Sequence, residues 1–448
     1  MWTLSYLCRW IVALAALSPS AVPAQPPEPA RPPLSAQPAE VDIFHWWVSK
    51  GERASIDVLK RYIEQQGIIW HEASASGSGT ARYTDVLRQR VDAGKLPTAA
   101  QMIGFAIHEW AQTGLLENLN EVARREEWDE VVPLGIQALS KYQGNWMAAP
   151  INAHSTNWLW VNKAALDRIG GQAPDTWPDL ITLLDKAKAA GILPLAIGGD
   201  AWEQTLLFES VAVSTAGAEF YRKAFIELDA KTLEAPVTAT IFRRMRILKT
   251  YVDPGFDTRR WDQATDLVRK GKALLQVQGS WVDGEFVHDH LKADRDFYCF
   301  RFPDTQGVYL FNSDQYVVFK QGPGSKLTKQ RLESTLMNPD FQSALNLMTG
   351  AAPARVDVSK APFDACGQQA INDMRSANMR RTLMGSVAMG NANPPLVKEG
   401  IYDVVHRHFL GQITDEQAAQ QLHDVIARYR NKASQRLRSN VSQVGKTP

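Results

Sequence analysis

Short apolar runs alternate with amphipathic segments along residues 41–430, and this alternation constrains the fold more than any other feature of the chain. Residues 41–44 (VDIF) read as a short strand. Across 53–66, Ile56, Leu59 and Ile63 recur at the spacing of one helix face. Gly67 stands where a left-handed cap would end that helix, and 68–70 (IIW) resume as a strand. The cycle repeats: 80–93 are helical in pattern, Pro97 breaks them, and 99–102 form a strand leading into a helix over 105–112. Further on, Asp175 or Thr176 caps a helix whose first turn holds Pro178, a position where the missing N–H costs nothing. Leu180, Leu183, Leu184 and Ala187 form its apolar stripe, Gly191 ends it, and 192–197 read as a buried strand. Strands and helices in this order predict an α/β chain of parallel sheets covered by helices on both faces. Open sheets of that kind bind ligands outside the carboxyl ends of their strands, which directs attention to the loops there.

With 448 residues the chain has room for two domains, at roughly 100–200 residues each. The first 24 residues read as a cleaved secretory signal: Arg9 precedes an apolar run over 11–17, and Val22-Pro23-Ala24 offers a cleavage site. That run is shorter than the roughly 20 apolar residues of a membrane span. Cys8 precedes the run, so no lipoprotein box is formed. Without the signal, acidic and basic residues balance, and the chain as a whole has no charge to attract nucleic acid or an anionic membrane. Residues 25–40 are proline-rich and read as a disordered leader, and 432–448 as a polar tail. Cys299 and Cys366 remain after export. In an oxidising compartment they either form a disulfide or stay as two buried thiols.

Several loops carry side chains suited to binding. His45-Trp46-Trp47 follows the first strand, and one of the two indoles is expected to face a cleft, where the C–H face of a sugar ring can stack on it. Glu52 begins the next helix, either as a capping carboxylate or as an acceptor of paired hydroxyl hydrogen bonds. Trp281 follows the strand at 273–277, as a cleft wall or as core filling. Asp314 opens another strand, as a ligand acceptor or a turn residue. Asn152, His154, Asn157 and Trp158 lie in an expected polar loop where the chain could cross between domains. Catalytic motifs are missing: no G-x-S-x-G elbow, phosphate-binding loop, H-E-x-x-H or paired metal-binding cysteines occur. His71-Glu72 and His288-Asp289-His290 are isolated, and the latter reads as a solvated helix face before a metal site. Neither a cofactor nor a metal is expected. The enzyme alternative is a glycosidase using Glu52 and Asp314 across a cleft.

The ordered fragments 45–52 (HWWVSKGE), 174–180 (PDTWPDL), 271–281 (GKALLQVQGSW), 311–314 (FNSD), 352–357 (APARVD) and 363–367 (FDACG) resemble the extracellular solute-binding proteins of ATP-driven carbohydrate importers. The likeness is greatest to the glucose/mannose-type, sugar-binding periplasmic proteins of proteobacteria, and it spans residues 41–430. It implies a type II periplasmic-binding-protein fold, with two α/β lobes closing over a ligand: 41–150 plus 312–355 in one, 151–311 plus 356–431 in the other. Carried over by position, it implies ligand contacts from Trp46, Trp47, Glu52, Gln101, Trp281 and Asp314, with His154 from the crossing region. It also implies a monomeric periplasmic receptor, not an enzyme, that delivers a small sugar to the permease subunits of an ABC importer. A non-sugar solute or a sensory partner are the alternatives. The sequence departs from glucose-binding relatives at Ile103, Thr349 and Met389, where those often carry polar or basic side chains. Each lost donor would forfeit about 1–3 kcal/mol if a buried hydroxyl went unpaired.

Overall fold

A computed structural model describes residues 39–77 and 81–444 of the chain. The expected signal and nearly all of the proline-rich leader lie outside the described residues.

The first sheet has five strands, in the order Ile69–Ser74, Glu40–His45, Ala99–Ile103, Asp314–Val318, Ala148–Pro150. Its central strands are buried on both faces. The helix Lys50–Glu64 packs there through Ile56, Leu59 and Ile63. It begins in a reciprocal capping box: the Ser49 hydroxyl accepts from the Glu52 N–H, and the Glu52 carboxylate accepts from the Ser49 N–H. Such caps contribute about 1 kcal/mol. The second sheet orders Phe297–Arg301, Trp158–Asn162, Ala273–Val277 and Leu193–Ala196. Against it lies the helix Trp177–Ala189, which buries the expected Leu180, Leu183, Leu184 and Ala187 and is capped by Thr176 with Asp179.

A third, small sheet connects these bodies: Ala352–Pro353, Asn152–Ser155, Tyr309–Asn312 and Leu383–Gly385. The fold is therefore α/β and two-lobed, with the chain crossing between lobes along these strands. Here the expected polar loop is corrected. Residues 152–155 and 158–162 are strands, fully buried, because the amides of Asn152 and Asn157 find partners inside the protein. The all-parallel expectation is corrected as well. Glu40–His45 runs parallel to both its neighbours. Asp314–Val318 enters antiparallel, because it returns from the second lobe instead of following a helix crossover. Periodicity reports which residues are buried but carries no information on strand direction.

Cys299, on the strand Phe297–Arg301, is disulfide-bonded to Cys366 in the first turn of the helix Ala365–Arg380, with the Cα atoms 5.9 Å apart. The backbone from Asp415 to Val444 is one helix, so residues 432–444 continue a helix where a polar tail is expected. Their Lys, Arg, Gln and Ala residues are good helix formers, which polarity alone conceals. None of the described helices is long and apolar enough to cross a membrane.

Candidate functional site

The carboxyl ends of Glu40–His45 and Ala273–Val277 face a common cleft, as expected for open α/β sheets. Its empty space is about 550 Å³, with solvent at its mouth included. Trp46, Trp47, Glu52, His154, Trp281 and Asp314 all line it. Both adjacent tryptophans border the space, where the loop read alone points to one and the family resemblance implies both. They are 4% and 5% exposed, so the cleft is nearly shut over them. Gln101 does not line the cleft. It lies fully buried behind it, donating to Asp314 Oδ1 at 3.1 Å and accepting from the Trp46 N–H at 3.2 Å.

Asp314 is the most elaborately held side chain of the site. It opens its strand at the seam between the first sheet and the crossing strands. Asn152 grips it twice, donating from Nδ2 to Oδ2 at 2.8 Å and accepting the Asp314 N–H on Oδ1 at 2.8 Å. His154 Nε2 lies 3.3 Å from the same Oδ2, and its Nδ1 lies 2.9 Å from the Ser280 hydroxyl. Each carboxylate oxygen thus has a fixed donor and keeps capacity for a further one. This arrangement makes an acceptor in a set orientation, suited to a hydroxyl or an N–H of a ligand.

Glu52 caps its helix and also borders the cleft. Its Oε2 accepts the Val48 and Ser49 N–H groups at 3.0 and 2.9 Å, while Oε1 has no hydrogen-bond partner among the described residues. Burial raises its pKa to about 7, against the lowering effect of those N–H donors. Trp281 begins the helix Trp281–His288. Its ring lies edge-on to His154 at 5.3 Å between centroids and 6.2 Å from Trp202. Gly279 makes this possible, since a Cβ there would sit 2.2 Å from the indole.

Sequence reasoning missed Trp202, Trp261 and Asn312, which also line the cleft. Trp202 follows the strand Leu193–Ala196, so the strand-end rule could have found it. Trp261 starts a helix with no strand before it, and no sequence signal marks it. Asn312 accepts from Asn391 Nδ2 at 2.9 Å. Thr349 and Met389 lie on the cleft wall together with Met348. Ile103 is not among the lining residues. It is buried opposite Asp314 in the strand register.

The His288-Asp289-His290 run ends a helix with both histidines exposed. Asp283, Asp364 and Cys366 approach one another within 4.8 Å, but the sulfur is taken by the disulfide and burial pushes the Asp283 carboxyl well up, toward a neutral acid that is a poor metal ligand.

Residues 72–325 match the model of the bacterial extracellular solute-binding protein family. A probable sugar-binding periplasmic protein of Brucella melitensis is 47% identical over 382 residues, covering 85% of this chain and 90% of that one. A protein of the same name from Rhizobium meliloti is 47% identical over 389 residues, covering 87% and 94%. Among solved structures, a chitin oligosaccharide binding protein superposes with a TM-score of 0.73 at 20% identity, covering 87% of this chain and 98% of that one. The chain therefore belongs to the family of bacterial extracellular solute-binding proteins.

Proposed function

We propose that this chain is the periplasmic substrate-binding component of an ABC-type sugar importer, capturing a sugar between its lobes and delivering it to the membrane permease. The observation that carries the reading is the meeting of indole walls with a fixed acceptor. Trp46, Trp47 and Trp281 surround a cleft into which Asp314 presents a carboxylate clamped by Gln101 and Asn152. Apolar ring faces and a hydroxyl acceptor together match the two-faced chemistry of a sugar. The sugar-binding names of the Brucella and Rhizobium relatives support the same reading. In it Trp46, Trp47, Glu52, His154, Trp281 and Asp314 contact the ligand, and Gln101 positions two of them. The lobes comprise 41–150 plus 312–355 and 151–311 plus 356–431, a division supported by the membership of the two large sheets. Export through a cleaved signal and action as a monomer complete the proposal.

Membership of a family of solute-binding receptors supports binding over turnover. Titrating the protein with hexoses, pentoses, disaccharides and polyols should change its intrinsic tryptophan fluorescence saturably. Silence across the whole panel would overturn the reading. One observation favours a second ligand class: Met348, Thr349 and Met389 make one stretch of the wall poor in hydrogen-bonding groups, as a less hydroxylated solute would prefer.

A further inference from the structure

The cleft around Asp314 is rich in acceptors and short of donors. Two carboxylates line it, Glu52 and Asp314, and among the described residues no lysine or arginine does. Arg53, on the helix that Glu52 caps, turns instead to Glu72 at 2.8 Å. Glu52 spends Oε2 on the Val48 and Ser49 N–H groups and leaves Oε1 without a partner among the described residues. Burial raises this carboxyl to a pKa of about 7, and Glu285 across the lobe seam adds to the shift. Such a group is an acid with no cation beside it to hold its charge.

The hydroxyl and imidazole groups of the wall are meanwhile committed inside the protein. Ser55 donates to the Gly51 carbonyl at 3.3 Å, and Thr349 donates to Asn346 Oδ1 at 2.8 Å. His154 has one ring nitrogen 2.9 Å from the Ser280 hydroxyl. The other lies 3.2 Å from Asn152 Nδ2 and 3.3 Å from Asp314 Oδ2. Asn312 accepts from Asn391 on Oδ1, which leaves its Nδ2 for a ligand. A neutral sugar hydroxyl carries a hydrogen and lone pairs, so it asks a wall for donors as well as acceptors, whereas an ammonium group asks for acceptors only. Trp46, Trp47, Trp202, Trp261 and Trp281 complete the lining. Their negative ring faces attract a cation, and an indole whose face meets the ligand keeps its in-plane N–H directed along the wall.

We infer that the ligand is a sugar bearing a protonated amine, its ammonium group donating to Glu52 Oε1 against the indole faces while ring hydroxyls donate to Asp314. The inference rests on the sugar-binding reading and narrows it to a charged class of sugar.

The test is calorimetric titration of the exported full-length protein, slightly below neutral pH so that free amines are protonated. Glucose, galactose, mannose and xylose are compared with glucosamine, galactosamine and mannosamine, and with the N-acetyl forms of those three, whose charge is gone. At least one free amine is expected to bind about ten-fold or more tightly than both its parent sugar and its N-acetyl form. That comparison decides the matter without any variant. Glu52→Gln removes the charge and keeps an acceptor for the Ser49 N–H, since Gln serves the same capping position. In this variant the ratio of amine to parent affinity should fall to within about three-fold, with the melting temperature reporting that the chain is folded. Neutral sugars binding as tightly as the amines, or a ratio untouched in folded Glu52→Gln, would overturn the charged ligand and leave sugar binding standing. No binding by any sugar, charged or neutral, would overturn both.

Discussion

At the residue scale, the site turns on how Asp314 is held. Gln101 and Asn152 each direct an amide N–H at it from a buried position. Removing the carboxylate therefore acts twice: the ligand loses its acceptor and two buried donors lose their partner. Asp314→Ala should weaken sugar binding by a factor of about 10 to 100 and lower stability by about 1–3 kcal/mol for each stranded donor, read by calorimetry and by urea unfolding. Asp314→Asn, which keeps shape but brings its own N–H toward Gln101 or Asn152, should cost binding nearly as much. Much of this was legible beforehand. Trp46, Glu52, Trp281 and Asp314 stand where apolar runs give way to loops, and that is where open sheets place ligands. The amide clamp was not legible, since Asn152 and Asp314 are joined only by the returning strand, and no local pattern reports such a meeting. Trp261 likewise reaches the cleft solely through tertiary packing.

At the scale of elements, the crossing strands converge on one buried acid. Glu209, on the helix Ala201–Tyr221, accepts from the Thr156 and Ser386 hydroxyls at 2.7 Å each and from the Ala388 N–H at 3.1 Å. Thr156 and Ser386 directly follow the crossing strands Asn152–Ser155 and Leu383–Gly385, so Glu209 fastens two inter-lobe connections to the second lobe. Burial raises its pKa to about 7, from the usual 4.5. Between those values the folded chain binds a proton that the unfolded chain has released. The contribution of Glu209 to stability is thus most favourable at the acid end and declines as pH rises toward 7. Glu52 has the same sign, while His45, lowered to about 4 chiefly by burial, opposes it between pH 4 and 6.5. Glu209→Gln should flatten the fall of melting temperature between pH 5 and 7.5 relative to the wild-type chain, whatever its effect on absolute stability. An unchanged slope would show that Glu209 does not titrate there. The disulfide is a second fastening. Cys299 and Cys366 are 67 residues apart, and closing a loop of that length contributes roughly 4 kcal/mol in the chain-entropy view. The Cys299→Ser, Cys366→Ser double variant should melt well below the wild-type chain under oxidising conditions.

At the scale of the molecule, closure depends on bare backbone meeting backbone. The helix Trp281–His288, which follows a strand of the second sheet, packs on Lys50–Glu64 and Pro339–Thr349 from the first lobe. A Cβ at Gly284 would stand 2.6 Å from the Met348 carbonyl oxygen, and one at Gly51 would stand 3.0 Å from the Gly284 oxygen. The Ser49 hydroxyl donates to Glu285 across the same seam at 2.5 Å. Gly284→Val should hold the lobes apart and lower sugar affinity at least ten-fold while leaving the melting temperature of the unliganded protein little changed. X-ray scattering should then show no compaction on adding sugar, where the wild-type chain compacts. Ligand contacts to both lobes favour the closed arrangement only through their differential strength in the two states. The two-lobed α/β architecture was readable from the alternation of strand and helix patterns and from the family resemblance. The antiparallel return of Asp314–Val318, the crossing sheet and the glycine seam were not, because each depends on contacts between residues far apart in sequence.

The most direct test is native mass spectrometry of the exported protein, purified without unfolding from cells grown on mixed carbohydrates. A non-covalent adduct with the mass of a saccharide, present on the wild-type chain and absent from Asp314→Ala, is the predicted result. An adduct whose mass fits no carbohydrate, or one retained in full by the Asp314→Ala variant, would contradict the account.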